Sequence, residues 1–455
     1  MVDAGRGLKA RAPFPVTGLH GWLVPAGAGR DAVVLLQARG VRALGDGVVS
    51  VVLASYLTSL GLTAIQVGMI VTATLFGSAA LTLVSGLHGH RVERRRLLRW
   101  MSLLMIATGA AFACCTVFWP LLVVALVGTL NPSAGDVSAF LSTEQALLPA
   151  TAPHDARTDL FARYALVGTL VAAVGSLGAG VPSWVGGLIG ASAATSQRWI
   201  FAGYAILGVI LLARYRRLSP AVEPSGGTQH SPLGASRPIV HRLAALFSLD
   251  AFGGGFSITV IVALWLQERF ELSLVVTGQL FFWAGALSAF SALVAVRLAR
   301  RIGLVRTMVF THLPANGFLI LAALMPTAPL AVAALLARSA LSQMDVPVRN
   351  SYVMAVVSPG ERQAAASITN VPRSLAAAVP PLLAGWLLAH SDFGWPLIIG
   401  GGLRVLYDLE LLRQFRDLTP PEEAMKSPAV TPDSDAEQAS CETEILLRDA
   451  GETGA

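Results

Sequence analysis

The sequence has few charged residues: Asp, Glu, Lys and Arg together make up 13% of its 455 residues. Soluble globular proteins carry about 25% charged and about 45–50% apolar residues, whereas the apolar share is 54% here. A soluble fold of this length would leave too much apolar surface in water. The composition, with a mean hydropathy of +0.64, therefore excludes a soluble enzyme, a nucleic-acid binder and a disordered scaffold, and predicts a membrane protein.

Cysteine is also scarce, since the three cysteines are Cys114, Cys115 and Cys441. No CxxC pair is present, which excludes a disulfide framework and a paired-cysteine metal site. The sequence also lacks a P-loop and an HExxH motif, so ATP-driven transport by this chain alone is excluded. We therefore expect no metal, no cofactor and no enzyme activity.

Apolar runs long enough to cross a bilayer recur along the chain. A spanning helix needs about 20 predominantly apolar residues, and twelve segments meet this condition. We predict an all-α integral membrane protein with twelve transmembrane helices in two pseudo-symmetric six-helix bundles. The predicted segments are 38–60, 66–88, 97–118, 120–148, 158–182, 197–215, 241–267, 274–298, 304–325, 329–357, 362–389 and 394–415.

Arginines are concentrated in every second loop, as the positive-inside rule requires of cytoplasmic loops. On the opposite side, Arg269 is the clear exception. The alternation and the even number of segments predict that both termini are cytoplasmic. The loop arginines are Arg91, Arg94, Arg95, Arg96, Arg99, Arg157, Arg214, Arg216, Arg217, Arg237, Arg242, Arg297, Arg300, Arg301, Arg306 and Arg362.

Composition divides the chain into five parts. Residues 1–37 form an N-terminal cytoplasmic segment, followed by a six-helix bundle over 38–217. The linker 218–238 lacks an apolar run and is predicted to be flexible. A second six-helix bundle covers 239–416. Residues 417–455 hold ten acidic and two basic side chains, which predicts a disordered acidic tail.

The two predicted bundles resemble each other at an offset near 210 residues. Gly68 precedes Arg91 by 23 residues, and Gly278 precedes Arg301 by 23 residues. The pair Asp136-Val137 in the fourth segment likewise matches Asp345-Val346 in the tenth. These correspondences indicate a duplicated six-helix unit, and transporters built from such repeats bind substrate near the midplane between the halves.

At this point the chain resembles the major facilitator superfamily over roughly residues 38–416. The loop after the second segment matches the family pattern G-x-x-x-D-R-x-G-R-R at Gly86, Arg91, Arg94 and Arg95, and departs from it at His90 and Glu93. The corresponding loop of the second half keeps Arg301 and Gly303, with Arg300 at the acidic position. The resemblance implies transport by alternating access, a gating role for these loops, a monomer, and the cell (plasma) membrane of a bacterium.

Charged residues within spans are costly in a bilayer and usually face a cavity or a partner. Asp46 lies in the first segment, four residues after Arg42, with which it can pair on one helix face. Asp250 lies in the seventh segment, followed by Gly253–Gly255, which weaken the helix. We interpret both aspartates as proton-coupling or substrate-contacting groups, with a buried structural ion pair as the alternative.

Further charged residues are predicted to form pairs between helices. Asp136 is expected to pair with Arg163, and Asp345 with Arg373. These pairs either fasten helices or contact substrate, and fastening or gating is slightly favoured.

The tenth segment also has a polar stripe. Arg338, Ser342, Asp345 and Arg349 share one face of a continuous helix, which predicts a cavity lining. Glu144 is expected near the cytoplasmic end of the fourth segment, where it snorkels or contacts a gate, and a loop or packing role is favoured for His312 over that of a pH sensor.

We predict a secondary active transporter of a small molecule, embedded in the lipid bilayer and without a nucleic-acid partner. Our leading hypothesis is proton-coupled efflux, because buried aspartates can exchange a proton with a substrate. The alternative is import or symport of a small anionic solute bound by Arg163, Arg338 and Arg373. A membrane sensor that uses the acidic tail without transporting is a less favoured hypothesis.

Overall fold

The computed structural model is helical in every regular element that it describes. Its α-helices are rich in Leu, Val, Ala and Ile, and a helix satisfies its own backbone hydrogen bonds, which a segment in lipid must do. Side chains of Ser138, Ser192 and Ser273 cap the helices that follow them. The described residues are 24–25, 27–88, 92–133, 138–153, 156–223, 234, 236–344, 349, 352–353, 357 and 361–415.

The α-helices are numbered here in chain order. They are α1 (Arg30–Ser59), α2 (Ala64–His88), α3 (Arg94–Cys114), α4 (Phe118–Val127), α5 (Ala139–Leu147), α6 (Arg157–Leu177), α7 (Val181–Ile189), α8 (Ala193–Tyr215), α9 (Arg237–Gly255), α10 (Thr259–Phe270), α11 (Leu274–Ile302), α12 (Leu304–Leu324), α13 (Ala328–Ser339), α14 (Arg362–Ala378), α15 (Pro380–His390) and α16 (Trp395–Phe415). Short 3₁₀ turns lie at Leu148–Thr151, Gly178–Gly180 and Pro220–Val222.

Large apolar side chains on the outside of the helices identify the surface that faces lipid. Trp119 and Trp184 are each 69% exposed, and Leu188 is 68% exposed. In the described residues, nine helical stretches are long and apolar enough to cross a bilayer, and α4 and α13 are apolar but shorter. Helix α16 has spanning length, but Arg404, Asp408 and Glu410 lower its hydropathy.

The fourth and tenth predicted spans are interrupted, so the prediction of continuous helices there was wrong. Helix α4 ends at Val127, and α5 begins at Ala139. Helix α13 ends at Ser339 and is followed by turns. Pro132 explains the first break, because proline lacks a backbone donor and disfavours helix in the preceding residue. The two breaks occupy corresponding places in the two bundles.

Other boundaries also differ from the predicted ones. Helix α1 begins at Arg30 instead of residue 38, so it extends the predicted span by more than two turns at its N-terminal end. The glycines after Asp250 were expected to weaken the helix, and α9 in fact ends at Gly255, so the predicted seventh span is divided and α10 begins at Thr259. Helix α14 continues through Pro372. The predicted eleventh span is instead broken at Val379, before the next two prolines.

Residues 218–223 of the linker pack against the six-helix bundle that precedes them. Residues 27–223 are called the first half here. Val222 is buried. The Ser219 backbone N–H and hydroxyl both donate to Asp31. Glu223 accepts hydrogen bonds from the backbone N–H groups of Arg94 and Arg95 at the start of α3. The prediction of a flexible linker was therefore wrong for residues 218–223, and most of residues 224–235 lies outside the described part of the chain.

The first half contacts the second half, residues 236–415, through α1, α2 and α6, which pack against α10, α15 and α11. The helices approach most closely at glycines. A Cβ atom on Gly68 of α2 would lie 2.5 Å from the Pro381 carbonyl oxygen of α15, and one on Gly278 of α11 would lie 2.4 Å from the Ser176 oxygen. These backbone contacts close the space between the halves at the end of the molecule that holds the α1–α2 turn.

Candidate functional site

A buried polar cluster fastens α1 to α5 in the first half. The Arg42 guanidinium lies 2.7 Å from the Glu144 carboxylate, and both side chains are at most 2% exposed. The hydroxyls of Tyr164 and Tyr215 also donate to Glu144. Glu144 does lie in the last turn of α5, as predicted, but a snorkelling role is wrong, because this carboxylate is the centre of an internal network.

Asp46 lies beside this network rather than in its centre. Its carboxylate is 3.8 Å from Arg42, so the expected pair is present but is longer than the pair of Arg42 with Glu144. Asn131 donates one long hydrogen bond to its Oδ2, at 3.5 Å. Oδ1 of Asp46 is buried and has no hydrogen-bond partner in the described part of the chain.

The second half has a cluster around Asp250 of α9. Its carboxylate lies 3.2 Å from the Arg349 guanidinium, 3.4 Å from Arg404 of α16 and 3.8 Å from Nε2 of His312. The side chain of Asp250 is 5% exposed. Three cationic or potentially cationic groups from three different parts of the chain therefore surround one carboxylate.

His312 of α12 connects Asp250 to a second buried carboxylate. Its Nδ1 lies 2.9 Å from Oδ1 of Asp408 on α16. Asn316, one helical turn further along α12, donates to the other oxygen of Asp408 at 3.0 Å. A loop or packing role was favoured for His312 over that of a pH sensor, and the imidazole is buried between two carboxylates, within hydrogen-bond distance of Asp408 and 3.8 Å from Asp250. A histidine in such surroundings is suited to taking up and releasing a proton.

The two clusters occupy equivalent places in the repeat, with their charges exchanged. In the first half, an arginine of the first span pairs with a carboxylate of the fourth, as Arg42 with Glu144. In the second half, an aspartate of the seventh span pairs with an arginine of the tenth predicted span, as Asp250 with Arg349. In each bundle, one buried ion pair therefore connects the first span to the fourth span.

A cavity of about 300 Å³ lies between the halves, and residues of both halves line it. Its wall is strongly cationic. The lining arginines are Arg39, Arg338, Arg349, Arg373 and Arg404. Asp250 is the carboxylate among the lining residues, and His312 is also in the wall. Serines and a threonine from α1, α6 and α11 complete the polar surface.

The structure brings together three of the residues proposed from sequence and separates others. Asp250, Arg338 and Arg373 line the cavity, whereas Asp46 and Arg163 are not part of its wall. Arg163 instead lies 2.7 Å from Asp159, one turn earlier on α6. Asp136 and Asp345, and with them the pairs predicted with Arg163 and Arg373, lie outside the described residues.

The predicted polar stripe of the tenth span required a continuous helix, and this premise was wrong because α13 ends at Ser339. Arg338, Ser342 and Arg349 nevertheless line one cavity. Ser342 lies in the turns that follow Ser339 rather than on α13.

The predicted gating loops are partly described. Gly86 lies in the last turn of α2, and Arg91 lies outside the described residues. Arg94 donates to the Ala146 carbonyl oxygen, and Arg95 pairs with Glu223 at 3.5 Å. These contacts join the loop to α5 and to the linker within the first half.

In the second half, the equivalent loop is reduced to one residue between two helices. Arg301 is exposed near the end of α11. Gly303 separates α11 from α12 with φ +87° and ψ 164°, a region open in practice to glycine alone.

Sequence reasoning missed several residues of the site. Arg39 was not singled out, because an arginine near the end of a predicted span resembles a membrane anchor, and Arg404, in the middle of the twelfth predicted span, was overlooked. Asp408, in the same span, was overlooked as well. A usable signal was present: Arg404, Asp408 and Asn316 are charged or amide-bearing residues inside spans that are otherwise apolar.

The described residues contain no group of three or more His, Cys, Asp or Glu side chains that are positioned to hold a metal ion. The chemistry available in the cavity is therefore that of arginines, one aspartate and one histidine. Such a set binds anions and exchanges protons.

Two helical bundles around a central polar cavity define the class of protein as a membrane transporter. A family profile described as the Major Facilitator Superfamily matches residues 36–342, well over half of the sequence. The chain belongs to this superfamily, as its resemblance predicted. Its members are secondary transporters and are generally not enzymes.

Among curated proteins, the chain is similar to the uncharacterized membrane protein YJR124C of Saccharomyces cerevisiae. The two are 26% identical over 432 residues, covering 85% of this chain and 94% of the yeast protein. This similarity supports a membrane protein and does not restrict it to bacteria.

Solved structures show the same fold at low identity. The nucleoside transporter NupG has a TM-score of 0.65 and 14% identity, covering 85% of this chain and 99% of NupG. The inward-open xylose transporter XylE from E. coli has a TM-score of 0.65 and 15% identity, with coverages of 84% and 96%. The human organic anion transporter MFSD10 (TETRAN) has a TM-score of 0.56 and 18% identity, with coverages of 84% and 99%.

Proposed function

We propose that the protein is a proton-coupled secondary transporter of small organic anions. One observation carries this proposal: five arginines and one aspartate line the cavity between the halves. Guanidinium groups bind carboxylates and phosphates in a bidentate geometry. A neutral sugar or nucleoside would leave this excess positive charge without compensation. The human organic anion transporter shares only the fold with this chain, so the proposal rests on the cavity.

Asp250 is the proposed coupling group, because it and the substrate compete for the same cations. When Asp250 is ionised, its carboxylate holds Arg349 and Arg404. When Asp250 takes up a proton, both guanidinium groups become available to a substrate anion. Proton and anion therefore bind together, and His312 provides a path for the proton toward Asp408.

Co-binding of proton and anion supports symport, the alternative that the sequence left open, over export by proton antiport. Antiport requires that proton and substrate displace each other, whereas here protonation of Asp250 creates the anion site. Symport also meets a physical requirement of uptake. Moving one negative charge inward against a potential of 100 mV costs about 2.3 kcal/mol, and a proton carried with it cancels that charge.

The remaining features are part of the same proposal. The protein works as a monomer in the cell membrane with both termini in the cytoplasm. The loops at Arg94, Arg95 and Gly303 act during the exchange between inward-open and outward-open states. The buried pair of Arg42 and Glu144 fastens the first half, and Asp46 contributes to this fastening.

The test uses purified full-length protein in liposomes that contain the pH dye pyranine. Acetate, succinate, citrate, glycerol 3-phosphate, xylose and uridine are added outside in turn. We expect at least one anion, and neither neutral solute, to acidify the interior. Asp250→Asn is expected to abolish this acidification while preserving exchange of the labelled anion. Asp159→Asn removes an exposed carboxylate outside the cavity and serves as the matched control.

Three results would overturn the proposal. The first is transport of xylose or uridine with no response to any anion. The second is alkalinisation of the interior on anion entry, which would indicate antiport. The third is a lack of response to every solute at verified reconstitution and orientation.

A further inference from the structure

We infer that the substrate carries two anionic groups, one held by Arg39 of the first half and the other by Arg338 of the second half, together with the Arg349 and Arg404 guanidinium groups that protonation of Asp250 releases. This inference rests on the proposed function and deepens it. It follows from a difference among the five cavity arginines, because two of them have no carboxylate partner among the described residues.

Arg39 of α1 is the cation that the first half contributes to the cavity wall. It is 7% exposed, and its Nε and Nη1 atoms are buried without hydrogen-bond partners in the described part of the chain. Its guanidinium carbon lies 5.4 Å from the centre of the Tyr164 ring. Glu144 and Asp46 attract the Arg39 guanidinium from beyond ion-pair distance. Both of these carboxylates already lie against Arg42. The cation–π contact and this longer-range attraction offset only a part of what desolvation of a guanidinium costs.

Arg338 has a similar position in the last turn of α13. Its Nε atom is buried and has no partner among the described residues, and no described carboxylate lies within ion-pair distance. The charges near it are those of Arg404 and Asp250, and Asp250 already lies against Arg349 and Arg404. The nearest described carboxylate is therefore engaged by other arginines.

A buried guanidinium without a counter-ion is strongly destabilising, so such a group needs an anion from elsewhere. Arg39 and Arg338 line the same cavity but belong to opposite halves. An anion at one of them leaves the other uncompensated, whereas a molecule with an anionic group at each end satisfies both. Such a substrate also joins the two halves, which move relative to each other during alternating access.

The size of the cavity limits the length of this molecule. A volume of about 300 Å³ equals that of about ten water molecules at 30 Å³ each. Linear dicarboxylates of four to six carbons fit this space. Carboxylates suit the planar fork of arginine, which forms two parallel hydrogen bonds with them.

Binding to the purified full-length protein in detergent tests the inference. The probes are succinate, glutarate and adipate, each compared with the monocarboxylate of equal carbon number, namely butyrate, valerate and hexanoate. We expect the best dicarboxylate to bind at least tenfold more tightly than its monocarboxylate. One charge-assisted contact corresponds to about a ten- to hundredfold change in affinity. Arg39→Gln and Arg338→Gln should each bring this ratio close to one.

Two further variants make the result specific. Arg413→Gln removes an exposed arginine of α16 outside the cavity and should leave the ratio unchanged. Arg39→Lys keeps the charge and loses the bidentate geometry. It should retain folding and part of the selectivity, and it replaces Arg39→Gln if that variant does not fold.

The possible failures are distinguishable. Equal affinity for dicarboxylates and monocarboxylates overturns the two-anion inference and leaves anion transport standing. Selectivity for dicarboxylates that survives both Arg39→Gln and Arg338→Gln overturns the assignment of these two residues. Binding of neither class, with neutral solutes bound, overturns the proposed function as well.

Discussion

The buried pair of Arg42 and Glu144 makes a quantitative prediction about stability. Replacing Glu144 by glutamine leaves the Arg42 guanidinium in the protein interior without its nearest counter-ion. Removing one partner of a buried ion pair typically destabilises a protein by about 3–5 kcal/mol. Because both side chains are at most 2% exposed, water cannot enter to solvate the remaining charge. We expect Glu144→Gln to lower the free energy of unfolding by this amount.

The geometry supports this magnitude. Charges 2.7 Å apart attract each other by about 6 kcal/mol at an effective dielectric constant near 20. Asp46, at 3.8 Å, contributes about 4 kcal/mol of attraction and remains in the variant. The glutamine oxygen still accepts a hydrogen bond from one of the two tyrosines, because Tyr164 and Tyr215 donate to different oxygens of the Glu144 carboxylate. The expected loss is therefore smaller than the full attraction, but well above that of a surface pair.

Thermal and denaturant unfolding of the purified variants provides the assay. Glu410→Gln is the control, because it removes a carboxylate from an exposed pair with Arg413, and it should change stability by less than about 1 kcal/mol. In a double-mutant cycle, Glu144→Gln and Arg42→Met should be non-additive by at least about 1 kcal/mol. Additive effects, or a loss no larger than that of the control, would refute a stabilising role for the pair.

The close backbone contacts between and within the halves lead to two further predictions. Gly68→Leu should hold apart α2 and α15, because a Cβ there already meets the Pro381 oxygen at 2.5 Å. A longer spin-label distance at that end and a slower transport rate are expected, and an unchanged distance would contradict this. Gly303→Ala should destabilise the protein by about 1–3 kcal/mol, because alanine rarely adopts φ +87° with ψ 164°. Unfolding measurements test this second change, and equal stability would rule out strain at this position.

Composition and hydropathy were sufficient for the class of fold, for a physical reason. A spanning helix must be apolar over most of its length, and this property depends only on the residues of that segment. The loop residues Gly86, Arg94 and Arg95 indicated the superfamily, which the family profile then confirmed. The glycines after Asp250 indicated a weak point in the seventh span, because glycine weakens a helix wherever it occurs, and α9 ends at Gly255.

Interruptions and burial were harder to predict, because they depend on contacts between distant residues. The fourth and tenth spans have enough apolar residues for continuous helices, yet both are broken. Glu144 was expected to snorkel or to contact a gate, because one sequence does not show that Arg42, 102 positions earlier, lies beside it. The sequence also did not show that the two ion pairs correspond, because the arginine and the carboxylate exchange positions between the halves.

The sequence by itself determined that this chain is a helical membrane protein built from two similar bundles, with charged residues that need partners inside the membrane. Only the tertiary structure decided which partners they have. Asp250 lies beside Arg349, Arg404 and His312. Arg39 and Arg338 line the cavity, and neither forms an ion pair with a carboxylate in the described part of the chain. The reason is that helical periodicity fixes which face of a helix a residue occupies, while the packing of helices from both halves fixes which charges meet across the space between them.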